Sequence, residues 1–410
     1  MCQVDSMDQL LNAMKDKGIT QVKLFVVDIE GRPRFMTIPS HHLEEVVEGI
    51  TIDGSSIPGF TTVDESDVIA KPDLESAVFS DNEVALFCHV EYENGQVFEG
   101  DPRNILKKVL QKGAEKGFFY AKPELEFYFL KGFNPVDSKG YMDYAEGLKI
   151  VEEVVSKSDV KVERIHHENG PAQYEIEPLM APALKACDTI ILLKEGLKQK
   201  AREEGITATF MPKPLLDEAG SGMHFHVLWE KNGKNLFEPF SETALYFVGG
   251  LLSHAKGITA VCNPTINSYK RLVPHFEAPV YISWGRGNRS ALVRIPRGGK
   301  TRIEYRSPDP LCNPYLALAL ILGAGLHGVD ERIEPPEEVV ENIFDSEHDI
   351  ETLPTTLEDA LKELEKDDLI KEILGEHLIK QFINRKKAEI EDYRRFCTKI
   401  SQWEYDHYLE

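Results

Sequence analysis

The chain contains 410 residues, of which 42% are hydrophobic and 28% are charged, a balance typical of folded globular proteins and not of disordered or membrane-spanning chains. Its 69 acidic residues outnumber its 47 lysines and arginines, which gives a formal net charge of -22 at pH 7. This charge argues against a nonspecific nucleic-acid-binding protein, which needs a basic face.

The first hundred residues predict a small β-rich unit. Apolar residues recur at helical spacing over 6–17 and predict a short helix. A strand is predicted over 22–28, and the turn at residues 30–32 leads to a second strand that ends near Ile38. The pair Asn94-Gly95 predicts a hairpin turn.

A helix start marks the predicted end of this unit. Asp101 can cap a helix whose first position is Pro102, where the fixed φ of proline fits and its missing N–H costs nothing. We therefore predict a first domain over 1–101 and a second over 102–410.

The second domain is predicted to alternate strands and helices. Helices are predicted at 102–117, 145–157, 183–204, 241–257, 313–327 and 356–407, the last of which is interrupted at least once. Strands are predicted at 119–130, 160–167, 172–178, 206–211, 222–230, 279–284, 290–295 and 301–306. The acidic stretch 331–355 contains prolines and is expected to be a surface excursion.

A cytoplasmic location is expected. Residues 1–15 lack the apolar core of a signal peptide, and the longest mostly apolar stretch, 315–326, is too short to span a bilayer. The six cysteines are far apart and form no CxxC motif, which suits reduced thiols.

Four predicted strands place charged or histidine residues two positions apart, a spacing that directs side chains to one face. These residues are Glu124 and Glu126, Glu175 and Glu177, His224 and His226, and Arg302, Glu304 and Arg306. A solvated face would explain any one pattern alone. Flanking Phe, Ile and Val mark the strands as half buried, however, and clustered carboxylates there repel one another unless cations neutralise them. Glutamates with a histidine are the ligands expected for Mg²⁺ or Mn²⁺, and two such ions can hold a phosphoryl group.

Arginines are concentrated near the last of these strands, in spite of the acidic composition. They are Arg271, Arg289, Arg294, Arg302 and Arg306. Arginine suits bidentate contacts with carboxylates and phosphates, so the combination indicates phosphoryl transfer from a nucleotide. The chain has no GxxxxGK[ST] or GxGxxG motif, which argues against P-loop and Rossmann domains.

Long motifs in a fixed order cover nearly the whole chain. They include Asp53-Gly54-Ser55-Ser56, Pro123-Glu124-Leu125-Glu126-Phe127, His166-His167-Glu168, Gly220-Ser221-Gly222-Met223-His224, Asn267-Ser268-Tyr269-Lys270-Arg271, Asn288-Arg289-Ser290 and Asn313-Pro314-Tyr315. With these motifs the chain resembles the glutamine synthetase family. The resemblance implies an α+β fold: a small N-terminal β-grasp-like domain, and a large catalytic domain with a curved antiparallel sheet flanked by helices.

The resemblance also implies ligands for metals and nucleotide. Two or more Mg²⁺ or Mn²⁺ ions are expected in each site. The ion nearer the substrate glutamate would be bound by Glu126, Glu168 and Glu175. The ion on the nucleotide phosphates would be bound by Glu124, His224 and Glu304. The co-substrate ATP would be bound by Arg289, Arg294, Arg302 and His226.

Roles in substrate binding and chemistry follow from the same resemblance. Glutamate would be bound by Arg271, Arg306 and the backbone of Gly220. Ammonium would be bound near Glu168 and Tyr141. The catalytic residues would be Asp53, which takes a proton from ammonium, Glu277, which shields the intermediate and takes the last proton, and Arg289 and Arg306.

The implied reaction is an ATP-dependent ligation in two steps. ATP phosphorylates the side-chain carboxylate of glutamate to γ-glutamyl phosphate, and ammonia displaces phosphate to give glutamine. Family members assemble as two hexameric rings, with each active site between subunits and Asp53 supplied by the neighbour. We therefore expect a homo-oligomer, a dodecamer, with nitrogen-regulatory proteins as candidate further partners and neither nucleic acid nor membrane as a partner.

Three positions depart from the family pattern. Ala219 replaces an asparagine expected near the amino-acid end of glutamate, and His275 replaces a glycine of the flap before Glu277. Phe344 lacks the hydroxyl that adenylylation requires. Two alternatives therefore stay open: a γ-glutamyl ligase for a larger primary amine or polyamine, and a non-catalytic nitrogen-sensing homologue. The second would be expected to lose metal ligands, and all six predicted positions are intact.

Overall fold

The computed structural model of the chain describes residues 6–274, 278–345 and 349–408. Within these residues, no single helix is both long and apolar enough to cross a membrane, and one helix pair, Glu242–Ser253 with Ala255–Cys262, meets that test only when joined across a 72° bend.

The N-terminal part is a six-stranded sheet with two helices. Its helices are α1 (Met7–Asp16) and α2 (Leu43–Val46), and its strands are β1 (Gln21–Val27), β2 (Pro33–Pro39), β3 (Ile50–Asp53), β4 (Asp67–Pro72), β5 (Val78–Ser80) and β6 (Glu83–Glu91). The strands follow the order β2-β1-β6-β4-β3, with β5 on β6, and β1 runs parallel to β6. The predicted helix and first two strands are confirmed. After Asn94-Gly95 the chain forms only an isolated bridge between Glu91 and Val97, so the predicted hairpin is short.

Helix α3 (Pro102–Gly113) begins at the predicted residue. Asp101 Oδ1 accepts a hydrogen bond from Arg103 N at 2.9 Å, and Asp101 Oδ2 accepts one from Val90 N at 3.0 Å. One carboxylate thus caps the helix and ties it to β6. The domain boundary between residues 101 and 102 stays a prediction.

The remaining chain forms an eleven-stranded sheet covered by helices. Its strands are β7 (Phe118–Lys131), β8 (Asn134–Pro135), β9 (Val162–His167), β10 (Gln173–Pro178), β11 (Ala181–Pro182), β12 (Thr207–Thr209), β13 (Met223–Lys231), β14 (Lys234–Asn235), β15 (Trp284–Arg286), β16 (Val293–Ile295) and β17 (Ile303–Tyr305). Its further helices are α4 (Gly147–Ser156), α5 (Ala183–Glu203), α6 (Glu242–Ser253), α7 (Ala255–Cys262), α8 (Ser268–Arg271), α9 (Pro314–Glu331), α10 (Leu357–Lys366), α11 (Asp368–Leu374), α12 (Glu376–Cys397) and α13 (Gln402–Tyr408).

The long strand β7 is the centre of this sheet, whose main order is β15-β16-β17-β13-β7-β10-β9. All pairs are antiparallel except β15 and β16, which run parallel, so the sheet predicted to be antiparallel is mixed. Leu125 and Phe127 of β7 are fully buried in the core that also contains the apolar sides of α5 and α9. The opposite face of β7 carries the predicted site residues Glu124 and Glu126. The predicted small β-rich domain followed by an α+β domain is therefore confirmed.

Two element predictions differ from the structure, and a third is confirmed. The helix predicted over 241–257 is two helices that break at His254 and continue to Cys262. Of the predicted 279–284 strand, only Trp284 lies in a strand, as the first residue of β15. Before it, Ile282 N bonds to Glu351 O and Leu353 N bonds to Val280 O, so the 351–353 segment pairs with this apolar run outside the sheet. The interruption predicted within 356–407 is confirmed at Asp367, at Gly375 and between α12 and α13.

Asn313 links the two parts of the molecule. Its side-chain oxygen caps α9 by accepting hydrogen bonds from Tyr315 N at 3.0 Å and Leu316 N at 3.3 Å. Its Nδ2 donates to Asp28 O, in the turn after β1, at 3.0 Å. The N-terminal sheet is therefore fixed to the start of the most buried helix of the larger part.

Candidate active site

The strand register brings the predicted charged residues together. Glu124 lies opposite His224 across the β7–β13 ladder, and Glu126 lies opposite Glu175 across the β7–β10 ladder. Residues directly opposite in an antiparallel pair share a face, with Cβ atoms roughly 5 Å apart. The side chains predicted two positions apart along each strand therefore form one continuous polar patch across β7, β10 and β13.

The first cluster contains Glu124, His224 and Glu304, whose ligand atoms all lie within 4.8 Å of one another. His224 Nδ1 lies 3.0 Å from Glu124 Oε2 and 3.6 Å from Glu304 Oε1. His226 Nε2 lies 2.7 Å from Glu124 Oε1. Burial alone would raise the pKa of Glu124, but His226 and His224 hold that pKa well below its usual value. This carboxylate is therefore ionised and already partly neutralised by the protein.

The second cluster contains His166, Glu168 and Glu175, again with ligand atoms within 4.8 Å of one another. His166 Nε2 lies 3.2 Å from Glu175 Oε1, and His166 Nδ1 lies 3.5 Å from Glu168 Oε1. Although burial opposes its charge, hydrogen bonds to Glu175 and Glu177 raise the pKa of His166 to about 11. The imidazolium thus sits among carboxylates that need a cation.

Glu126 lies beside this second cluster, where several carboxylates are crowded together. Burial, followed by the charge of Glu168, raises the pKa of Glu126 to about 8. Its Oε2 accepts hydrogen bonds from Gly222 N at 2.8 Å and from Gln173 Nε2 at 3.3 Å. Burial and the neighbouring carboxylates also raise the pKa of Glu175 well above its usual value.

Divalent cations fit this patch by the chemistry of its donors. A third group, Glu124 with Glu175 and Glu177, has ligand atoms within 4.8 Å and joins the first two clusters. Carboxylate oxygens with one imidazole per cluster are the ligand set of Mg²⁺ or Mn²⁺ and not of a structural zinc site.

Arginines border the first cluster on strands β16 and β17. Arg294 donates to Glu304 Oε2 at 2.6 Å, and its Nε has no hydrogen-bond partner among the described residues. Arg302 Nε donates to His226 Nδ1 at 3.3 Å, so the other ring nitrogen of His226 donates to Glu124. Arg289 is exposed at the edge of the site, and its carbonyl accepts a bond from Arg306.

The residues predicted to bind glutamate lie on the other side of the patch, around residues 219–222, which we call the glutamate loop. Arg271 is 3% exposed and donates to Ser307 O at 2.7 Å and to Arg306 O at 3.3 Å. A Cβ atom placed on Gly220 would lie 2.7 Å from Arg271 Cγ, so only glycine allows this approach. Arg306 Nε bonds to Glu304 Oε1 at 3.2 Å and links the loop side to the first cluster.

A cavity of about 610 Å³ opens over the patch. Its lining includes predicted residues from every group that the sequence assigned: Glu124, Glu126, Tyr141, Glu168, Glu175, Gly220, His224, Arg271, Arg289 and Arg306. Tyr141 is exposed and its ring meets His166 edge-on, with centroids 5.7 Å apart. Glu304 and the three nucleotide-side residues His226, Arg294 and Arg302 lie behind or beside the lining, bonded to it as described above.

One predicted catalytic residue, Asp53, does not line this cavity within the single chain. Asp53 is exposed on the N-terminal sheet, where its Oδ1 accepts bonds from Ser55 N at 2.9 Å and Ser55 Oγ at 2.6 Å. These bonds hold the pKa of the Asp53 carboxyl below its usual value. Glu277, and the flap residue His275, lie outside the described residues.

Sequence reasoning gave no role to several residues that the fold places at the site. His166 joins the second cluster, and Gln173 bonds to Glu126. Glu177 pairs with Lys122 at 2.5 Å and with Arg164. His166 stands inside a motif that carried the family resemblance, two positions before Glu168, and Gln173 stands two positions before Glu175, so this spacing was an available signal.

Comparisons with known proteins agree with this arrangement. The family model of the glutamine synthetase catalytic domain matches residues 99–408, and that of the glutamine synthetase beta-Grasp domain matches residues 18–91. The glutamine synthetase of Pyrococcus abyssi is 44% identical, with 95% of this chain and 96% of the relative covered. That of Thermotoga maritima is 42% identical, with 98% and 99% covered.

Solved structures give the same result at the level of the fold. A GmaS chain in an ADP complex is 32% identical and has a TM-score of 0.89, with 98% of this chain and 99% of that chain covered. Plasmodium falciparum glutamine synthetase, determined by cryo-EM, is 24% identical and has a TM-score of 0.86, with 98% and 99% covered. The matches extend over nearly the full length in sequence and in structure, and the chain therefore belongs to the glutamine synthetase family.

Proposed function

We propose that this chain is a glutamate–ammonia ligase, which joins ammonia to the side-chain carboxylate of glutamate through γ-glutamyl phosphate and releases glutamine, ADP and phosphate. The observation that carries the proposal is the polar patch on β7, β10 and β13, where two carboxylate–histidine clusters adjoin an arginine-bordered cavity. The names of the curated relatives and the ADP bound to the similar GmaS chain support it.

The first cluster is proposed as the nucleotide side. Glu124, His224 and Glu304 would hold one Mg²⁺ or Mn²⁺, and the ion nearer glutamate would be held by Glu126, Glu168 and Glu175, with His166 next to them. When bound, the ions supply positive charge that offsets the phosphate and carboxylate charges of the substrates.

Arginines and His226 are proposed to bind the phosphates of ATP. Arg294 has an unpartnered Nε, and Arg289 is exposed at the cavity edge, so both have donors for phosphate oxygens. Arg302 is oriented by His226 and would bind the same phosphates. Arg289 would also stabilise the phosphoryl group during its transfer to glutamate.

The glutamate loop is proposed to bind the amino-acid end of the substrate. Arg271 and Arg306 would orient its carboxylates, and the backbone of Gly220 would contact its amino group. Because Arg271 is held by two backbone carbonyls, it loses little side-chain freedom when the substrate binds. This orientation directs the side-chain carboxylate of glutamate toward the phosphates.

The amine step needs an anionic pocket, because ammonium binds as a cation and reacts only after it loses a proton. Glu168 and Tyr141 are proposed to line this pocket. Asp53 is proposed to accept the proton, and its lowered pKa keeps it ionised and ready to bind a cation. Glu277 is proposed to accept the last proton.

The active assembly is proposed to be a cytoplasmic dodecamer in which Asp53 enters the site of a neighbouring subunit. Asp53 is exposed on the N-terminal sheet and does not line the cavity of its own chain. The C-terminal segment also presents unburied apolar side chains: Phe396 is 61% exposed, Ile400 65% and Tyr408 71%. Such a tail is the kind of surface that a further subunit covers.

Phosphate release from ATP tests the proposal. The full chain is incubated with ATP, glutamate and Mg²⁺, and ammonium is compared with methylamine, ethanolamine and a polyamine. Highest kcat/KM with ammonium, together with glutamine as the product, supports the proposal. Higher kcat/KM with a larger amine would make the chain a different γ-glutamyl ligase. No amine-dependent turnover would refute a ligase altogether.

A further inference from the structure

Gln173 connects three parts of the site, and none of the proposed roles uses it. Its side chain is 1% exposed and lies on β10, two residues before Glu175. Its Nε2 donates to Glu126 Oε2 at 3.3 Å and to Gly220 O at 3.0 Å. Its Oε1 accepts from Gly170 N at 2.8 Å. The amide therefore joins a carboxylate of the metal side, the glutamate loop and the loop after Glu168.

The partners fix the orientation of this amide. A side-chain amide offers two N–H donors and one carbonyl acceptor. The flipped orientation would place the carbonyl against the Glu126 carboxylate and the Gly220 carbonyl, and the NH₂ group against the Gly170 N–H. Both donors and the acceptor are thus used, on a side chain that is almost fully buried.

The same carboxylate oxygen holds the glutamate loop a second time. Glu126 Oε2 accepts from Gly222 N at 2.8 Å, and Glu126 N donates to Gly222 O at 3.2 Å. On the other side, Glu168 N donates to Gln173 O at 2.8 Å. A change at the Glu126 carboxylate therefore reaches the glutamate loop directly through Gly222 N and indirectly through the Gln173 amide, which also contacts the loop after Glu168 through Gly170 N.

We infer that Gln173 is a positioning residue that couples divalent-cation binding at Glu126 to glutamate binding at the glutamate loop. A cation on Glu126 fixes the carboxylate, the carboxylate fixes the amide, and the amide fixes the Gly220 carbonyl. Linkage requires the coupling to be reciprocal, so glutamate also tightens cation binding. The inference rests on the proposed function for the identity of the substrate.

Calorimetric titration of the full chain tests the coupling. Glutamate is titrated without and with Mg²⁺, and Mg²⁺ without and with glutamate; the ratio of the two affinities is the coupling factor. Gln173→Met keeps the length of the side chain and removes its three side-chain hydrogen bonds. We expect this variant to lower the coupling factor about fivefold or more, with ADP affinity close to that of the wild type.

Two further variants separate positioning from loosened structure. Gln173→Glu places a carboxylate against Gly220 O, so we expect weaker glutamate binding without weaker Mg²⁺ binding. Tyr128→Phe removes the hydroxyl that donates to Ala219 O at 2.6 Å in the same loop. It should weaken glutamate binding equally with and without Mg²⁺ and leave the coupling factor unchanged.

The outcomes also distinguish the inference from the proposed function. A coupling factor in Gln173→Met within twofold of the wild-type value would overturn the inference while leaving the ligase intact. A parallel loss of glutamate, Mg²⁺ and ADP binding in both Gln173 variants would also overturn it, since that is a general structural effect. If the wild type binds no glutamate, the proposed function fails. In that case, an unaltered Mg²⁺ affinity in Gln173→Met would also overturn the inferred connection between Gln173 and cation binding at Glu126.

Discussion

A single methyl group at Gly220 is expected to weaken glutamate binding with little effect on nucleotide binding. In Gly220→Ala, the new Cβ would lie 2.7 Å from Arg271 Cγ and 2.8 Å from Pro212 O. Neither neighbour can retreat easily. The Arg271 guanidinium is held by Ser307 O and Arg306 O, and Pro212 O is backbone that accepts a bond from Ser221 N at 2.8 Å.

The expected size follows from the cost of overpacking a filled site, about 1–3 kcal/mol. Because 1.4 kcal/mol corresponds to a factor of ten in affinity, the KM for glutamate should rise by roughly 5- to 150-fold. The measurement is steady-state phosphate release at saturating ATP and ammonium, together with calorimetric titration of ADP. We expect the ADP affinity to change less than threefold, because Gly220 lies on the opposite side of the patch from Arg294 and Arg302.

Gly140→Ala is the matched control. Its Cβ would meet only Asp143 Oδ2, at 3.5 Å, which is an ordinary contact, although Gly140 directly precedes the cavity residue Tyr141. The control should keep the wild-type KM for glutamate. An unchanged KM in Gly220→Ala, or an equal loss of glutamate and ADP affinity, would show that Gly220 does not fix the glutamate site through Arg271.

Two further predictions concern buried charges. Glu304→Gln removes the charge that pairs with Arg294 at 2.6 Å and with Arg306 at 3.2 Å. We expect loss of turnover and a free energy of unfolding lower by about 3–5 kcal/mol. An unchanged urea denaturation curve would contradict this. Asp73→Asn removes a charge that lies 2.8 Å from buried Arg103 and should cost about 1–3 kcal/mol at pH 7. Burial opposes ionisation, but Arg103 lowers the pKa of Asp73 below 3.8, so this stabilisation is present above pH 3.8 and is lost as pH falls further. A difference from the wild type that stays constant from pH 7 to pH 3 would refute the assignment.

The periodicity along each strand could be predicted from the sequence, but the neighbours of each strand could not. The two-residue spacing of Glu124 and Glu126 gave their shared face. Which strands flank β7 depends on contacts between residues about a hundred positions apart, such as Glu124 and His224. No local pattern encodes that pairing, and only the family resemblance supplied the ligand sets. The spacing of His166 and Glu168 was an available signal, but the other neighbour of His166, Glu175, becomes visible only through the β9–β10 register.

The wrong element predictions have local physical causes. The apolar run 279–284 fits a strand and a buried irregular segment equally well, because periodicity alone does not separate them. Its backbone partners are residues 351–353, in a stretch that was expected to lie on the surface. The helix predicted over 241–257 turns at His254, which bonds to Asp367 at 2.7 Å, a tertiary contact with no signature in the local sequence.

The two carboxylate–histidine clusters lie on either side of β7, the first toward β13 and the second toward β10, and their charges are balanced differently. On the first side, Glu304 pairs with both Arg294 and Arg306, and Glu124 bonds to His224 and His226, so the two arginines supply most of the positive charge there. On the second side, burial and like charge raise the pKa of Glu126 to about 8, and the charged His166 is shared with Glu168 and Glu175. The second side therefore contains carboxylates that the protein does not fully compensate and that would ionise when a divalent cation binds.

This difference predicts the order in which divalent cations bind. Free Mn²⁺ should bind first at the second side without any nucleotide, and a second ion should bind tightly only with ADP, whose phosphates bring the negative charge that the first side lacks. Mn²⁺ binding is followed by electron paramagnetic resonance without and with ADP. Glu168→Gln should weaken the nucleotide-independent site, and Arg294→Gln should strengthen Mn²⁺ binding at the first side in the absence of ADP. Two equally tight sites without nucleotide would refute this reading of the charge balance.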